Sequence, residues 1–161
     1  MTPSGTGSGK EVLLTVTGEE IYGDGRRDST RTCCRAVFEK TLGETIDGSG
    51  GPDSAVYTFR YREEDPGSGA ATESVMKFSE IGCEIVRSGE IRVKMRFEPD
   101  KEHRCMYGTP YGDIPMTIRT RLVAVREIGD NFHARIRYTL TPEGAEPAEY
   151  AVTVRAEPVS G

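Results

Sequence analysis

Four cysteines, two histidines, seven tyrosines, sixteen arginines and a run of three acidic residues are the side chains through which this chain of 161 residues can do chemistry. Their spacing decides how far each goes. Adjacent Cys33 and Cys34 point to opposite faces of a strand, so they cannot clamp one metal together in regular geometry. Cys83 and Cys105 add no C-x-x-C, and the histidines form no H-x-x-x-H. His103 and Cys105 share a strand face, but two ligands without a second nearby pair do not make a zinc site, so no metal is expected. The default for all four thiols is the reduced form, packed as small hydrophobes. His103 and His133 show no triad spacing and there is no G-x-S-x-G elbow, so nucleophilic hydrolysis has no support. The run Gly5-Thr6-Gly7-Ser8-Gly9-Lys10-Glu11 fails as a phosphate loop: Ser4 stands where the first Gly should be, Glu11 replaces the required hydroxyl residue, and no strand precedes it. Glu63-Glu64-Asp65 is the densest acidic cluster, but Glu63 and Glu64 point to opposite sides of a strand, which suits a charged hairpin end better than calcium. The chain is therefore read as non-enzymatic, with no cofactor.

The elements that must position these residues are strands. Alternation with period two recurs along the chain and a period of 3.6 does not. In 90–98, Ile91, Val93, Met95 and Phe97 form one face and Arg92, Lys94 and Arg96 the other. In 54–63, Tyr57, Phe59 and Tyr61 alternate with Thr58, Arg60 and Arg62; in 131–140, Phe132, Ala134, Ile136, Tyr138 and Leu140 alternate with His133, Arg135, Arg137 and Thr139. In 113–126, Ile114, Met116, Ile118, Thr120, Leu122 and Ala124 alternate with Thr117, Arg119, Arg121, Val123 and Val125, a run long enough to bend around a barrel or to change faces. Further strands are expected at 11–17, 31–40, 72–79, 83–87, 103–107 and 148–156. Turn chemistry falls between them: Ser88-Gly89 reads as a two-residue hairpin, and Thr109-Pro110-Tyr111-Gly112, Gly129-Asp130 and Pro142-Glu143-Gly144 end later strands. Short links between sequential strands make the sheet antiparallel and meandering, which favours an up-and-down barrel of about eight to ten strands.

Two faces of that barrel carry functional expectations. The interior face is Tyr57, Phe59, Tyr61, Met95, Phe97, Ile118, Phe132, Ile136 and Tyr138, where buried tyrosine hydroxyls need partners and can offer them to a small apolar or amphipathic ligand. The outer face is Arg92, Lys94, Arg96, Arg119, Arg121, Arg135 and Arg137, on three strands that gather if they lie near one another. Such a stripe suits an anionic partner, RNA or an acidic protein, although it lacks the interleaved aromatics of most nucleic-acid readers. Nucleic acid therefore ranks behind a small ligand.

Composition agrees with one domain. Hydrophobic residues make up 35% and charged residues 29%, and the mean hydropathy is −0.50, which fits walls with only one side turned inward. The expected division is a flexible tail at 1–10, a barrel at 11–157 and a tail at 158–161. No apolar run approaches the roughly 20 residues of a membrane helix, and the opening residues lack the apolar centre of a secretion signal. A cytoplasmic protein with no membrane partner is the expectation, either a closed monomer or a barrel that opens into a homodimer. The net charge of −5 hides a segment at 87–137 with 11 basic and 7 acidic residues, or +4.

Tyr61-Arg62-Glu63-Glu64-Asp65, Thr72 with Lys77, Arg87-Ser88-Gly89, Met95-Arg96-Phe97, Tyr107-Gly108-Thr109-Pro110-Tyr111-Gly112, Thr120 and Tyr138-Thr139-Leu140 together resemble the YwiB-like family of bacterial proteins of unknown function. The similarity spans roughly residues 11–157, departing in extended linkers at 22–31 and 43–54. It implies a barrel of the calycin type, related in shape to lipocalins and fatty-acid-binding proteins, and supplies no catalytic residues.

Overall fold

The computed structural model describes residues 9–46, 50–51, 53–64 and 67–159. Tail residues 1–8 and 160–161, part of the loop expected at 47–54, and Asp65 of the acidic cluster lie outside the described residues. Ten strands follow one another: β1 (Lys10–Ile21), β2 (Arg27–Leu42), β3 (Ala55–Glu64), β4 (Ala71–Ser79), β5 (Gly82–Gly89), β6 (Val93–Phe97), β7 (Glu102–Thr109), β8 (Gly112–Ile128), β9 (Asn131–Pro142) and β10 (Ala148–Pro158). Consecutive strands form antiparallel ladders everywhere except between β6 and β7, and β1 pairs with β10. The result is the expected all-β, up-and-down barrel, nearly closed. Its seam holds by short contacts instead of a ladder. Arg92 and Gly108 exchange backbone hydrogen bonds of 3.0 and 2.7 Å, and Asp100 N donates to Thr120 O at 3.0 Å.

The inward series of each strand meets in a filled centre. Leu14, Phe59, Phe78, Phe97, Ile118, Ile136 and Val154 are at most 1% exposed. Phe132 lies against Phe59, Tyr57 and Phe78 with ring centroids 4.9, 5.1 and 5.4 Å away, the tilted geometry in which aromatic quadrupoles attract. Apolar residues at period two are enough to build this, because every strand turns one face to the same axis.

Three local readings need correction. The stretch at 22–31 is half strand instead of all linker, since β1 and β2 stay paired from Lys10↔Phe38 to Ile21↔Arg27 and only Tyr22–Arg26 turn. Cross-strand pairs such as Glu19 with Arg27 keep this polar extension regular without a buried face. Ser88-Gly89 is not a two-residue hairpin: the β5–β6 ladder ends at Arg87↔Val93, leaving five residues between, while Gly89 continues to pair with Thr72. Gly is still required there, at φ 141°, because a Cβ would sit 2.3 Å from the Ala71 carbonyl oxygen. In β8 the register shifts between Thr120 and Leu122, so one extra residue inverts the alternation. Val123 and Val125 then pack against the core while Leu122 is 39% exposed, the reverse of simple alternation.

Candidate functional site

The middle of the barrel is occupied by side chains, so open space lies at its ends. The inward series runs upward from Phe59 and Tyr61 to Glu63, from Met76 to Thr72, from Ile85 to Arg87 and from Met116 to Ile114. At this upper mouth a cleft of about 810 Å³ opens, lined among others by Glu63, Arg87, Ile91, Tyr107 and Ile114. Arg87 donates to Glu63 at 2.9 Å, with both side chains about one-third exposed. Tyr61 and Tyr138 lie close enough to feel the Arg87 charge. Burial, aided by the Glu63 carboxylate, pushes the Tyr61 hydroxyl up to about 12, and burial beside Tyr150 raises that of Tyr138 further. Both remain protonated and available as donors. Tyr138 packs against Phe97 at 4.8 Å and stacks on Tyr150 at 5.5 Å, which fixes its ring.

The opposite end is smaller. A cleft of about 370 Å³ is lined by Val12, Phe38, Lys40, Glu127, Asn131 and Phe132 among others. Glu127 accepts hydrogen bonds from Lys40 at 2.8 Å and from the Tyr57 hydroxyl at 2.7 Å, and these hold its carboxyl below the usual range. Lys40 also sits over the Tyr57 ring, 5.4 Å from its centroid. These groups satisfy one another along the wall of this smaller cleft.

The interior residues named from sequence divide accordingly. Phe59, Phe97, Ile118 and Ile136 pack at the centre, and Met95 lies partly buried against it. Tyr57 and Phe132 reach the lower end, while Tyr61 and Tyr138 lie beneath the upper mouth. The Glu63–Arg87 pair was not among them. Its signal was parity: Glu63 continues the Tyr57-Phe59-Tyr61 series, and Arg87 stands two residues beyond Ile85.

The outer arginines are brought together only in part. Lys94 and Arg96 reach Glu84 at 3.9 and 3.7 Å, and Arg96 also reaches Glu98 at 3.6 Å. Arg121 lies 3.8 Å from Glu149, and Arg137 bonds to the same carboxylate. Arg92, Arg119 and Arg135 form no ion pair among the described residues. All four cysteines are free. Burial pushes the Cys34, Cys83 and Cys105 thiols up, which leaves them poor nucleophiles. His103 Nε2 stands 2.9 Å from Glu98 Oε1 instead of beside a cysteine ligand. Among the described residues no three of His, Cys, Asp and Glu group closely enough to hold a metal ion, and no helix is long and apolar enough to cross a membrane.

A family model described as a domain of unknown function, DUF1934, matches residues 39–154. The chain belongs to the DUF1934 family. The matched region includes both halves of the mouth pair, Glu63 and Arg87, and all seven outer basic residues named above. A crystal structure of the YwiB protein from Bacillus subtilis superposes with a TM-score of 0.75, covering 97% of this chain and 96% of that one at 15% identity. The barrel is thus shared with YwiB, and the sequence resemblance to a YwiB-like family of unknown function holds. Among curated proteins none matches the chain.

Proposed function

We propose that this DUF1934 member is a non-enzymatic binding barrel that takes a small amphipathic molecule in its upper mouth, not at its centre. The observation that carries this reading is the partly exposed Glu63–Arg87 pair at the wider end of a barrel whose centre is filled. A polar head group exchanges bonds with that pair. The apolar remainder lies against Ile91, Tyr107 and Ile114. Pockets that hold one small molecule commonly fall between about 300 and 1,000 Å³ and combine apolar walls with a few placed polar groups.

The test uses 1-anilinonaphthalene-8-sulfonate, an amphipathic anion that fluoresces in apolar surroundings. Arg87→Met removes a charged hydrogen bond worth about 1.5–3 kcal/mol and should weaken binding by roughly ten- to a hundredfold. Fold is preserved, because breaking a surface pair costs about 1 kcal/mol or less. Binding that is unchanged in Arg87→Met, or absent from the parent protein, overturns the reading. Native mass spectrometry of the protein from its own cells should show a co-purified small molecule that the variant lacks.

A further inference from the structure

Seven arginines form no ion pair among the described residues: Arg31, Arg92, Arg104, Arg119, Arg126, Arg135 and Arg155. Register places four of them on one outer wall. Across β8, β9, β10 and β1, Arg126 stands opposite His133, His133 opposite Arg155, and Arg155 opposite Thr15. One step along the strands, Ala124 stands opposite Arg135, Arg135 opposite Thr153, Thr153 opposite Thr17, and Thr17 opposite Arg31 on β2. The four guanidinium groups and His133 therefore lie in two adjacent rows, with threonines and Ala124 between them, that together span five strands, about 19 Å at a strand spacing of ~4.8 Å. All four arginines are exposed. A depression of about 280 Å³ lies within this wall, lined by Thr15, Arg31, Asn131, His133 and Arg155, with Glu157 as its one carboxylate.

The β8 bulge makes this wall. Simple alternation keeps Arg126 off the outer series that begins with Thr117 and Arg119, but the extra residue at Arg121 turns Arg126 outward beside His133.

We infer that this wall of β8, β9, β10, β1 and β2 binds the phosphodiester backbone of RNA. The inference is independent of the mouth reading, from which it takes no residue. Unpaired guanidinium groups offer bidentate donors that suit phosphate. The threonines between them add O–H donors. A row of ~19 Å exceeds what a single phosphate needs and matches a chain of them. An acidic protein partner fits less well, because protein interfaces keep an apolar core and the exposed apolar side chain in the depression is Leu13, at 36%. With no aromatic platform on the wall, contact is to the backbone and carries little sequence preference.

Fluorescence anisotropy with a labelled mixed-sequence single-stranded RNA of about 20 nucleotides tests this. Three to four phosphate contacts predict a log–log salt slope of roughly −2 to −3, a loss of about 20- to 50-fold between 50 and 200 mM salt. Arg126→Glu/Arg155→Glu should weaken binding at least tenfold. Arg60→Glu/Arg62→Glu, on the exposed side of β3, changes net charge equally and should leave binding within twofold. Far-UV circular dichroism confirms that both doubles fold. Equal losses in the two doubles, no binding by the parent protein, or displacement of the RNA by poly-L-glutamate as effective as by unlabelled RNA each overturn the inference.

Discussion

The claim that the barrel is filled rests on a measurable cost at Phe59. This side chain is fully buried and its ring lies 4.9 Å from Phe38, 4.9 Å from Phe132 and 6.2 Å from Phe78. Phe59→Ala removes the ring's transfer free energy, its aromatic contacts and the packing of the space it leaves. Buried Phe-to-Ala changes cost about 3–5 kcal/mol, and three aromatic neighbours place this one toward the upper end. For a domain of this size that corresponds to a fall in Tm of roughly 6–20 °C. Phe59→Leu keeps most of the volume and should cost about 1–1.5 kcal/mol, which guards against total loss of folding in the alanine variant. Urea unfolding followed by circular dichroism gives both values. A cavity on the order of 100 Å³ lined by aromatic rings should stay dry and admit benzene, so benzene should restore part of the lost Tm. A cost below about 1 kcal/mol for Phe59→Ala would rule out a filled centre. It would mean a hollow centre, and the ligand site would return to the barrel axis.

Two further outcomes follow from buried polar groups. Burial alone raises the Glu98 carboxyl, but Lys101, His103 and Arg96 outweigh it and hold the group below its usual value. A depressed folded value gives stability that is present above the ordinary carboxyl value of 4.5 and lost as pH falls from there through the lower folded value; Glu98→Gln should therefore flatten the acid side of the stability–pH curve, read by urea titration between pH 6 and 3. Thr120 Oγ1 is buried with no hydrogen-bond partner, in a residue that is 2% exposed. Thr120→Val keeps the shape and the backbone bonds at the seam and should leave Tm unchanged or raise it by a few degrees, by about 1 kcal/mol, whereas a clear fall in Tm would show that the hydroxyl is satisfied.

Alternation by itself determined the strands. Each of the ten was legible because a wall with one wet side must repeat every two residues, and Phe59, Phe97, Ile118 and Ile136 could be assigned inward from that period alone. Two turns were legible as well, since Pro110-Tyr111 sits in a two-residue turn with Thr109 paired to Gly112 and Gly129 adopts φ 61°, but Ser88-Gly89 was not, because Gly89 stays paired with Thr72. Position within the barrel was not legible. Period two assigns Glu63 and Arg87 to the interior face but cannot say that they meet at its upper end, since that depends on the registers of β3 on β4 and of β4 on β5.

The outer charges show the same division. Arg92, Lys94 and Arg96 read as one stripe, yet Glu84 on neighbouring β5 reaches two of its three members, a pairing that only register decides. Register also gathered Arg31, Arg126, Arg135 and Arg155 from four strands, across up to 124 positions of sequence, and the inversion at Arg121 turned Arg126 outward. Local sequence carries the period of each strand. The offset between strands comes from ladder hydrogen bonds and core packing, which sum over the whole barrel, so the mouth pair and the basic wall were decided by tertiary structure alone.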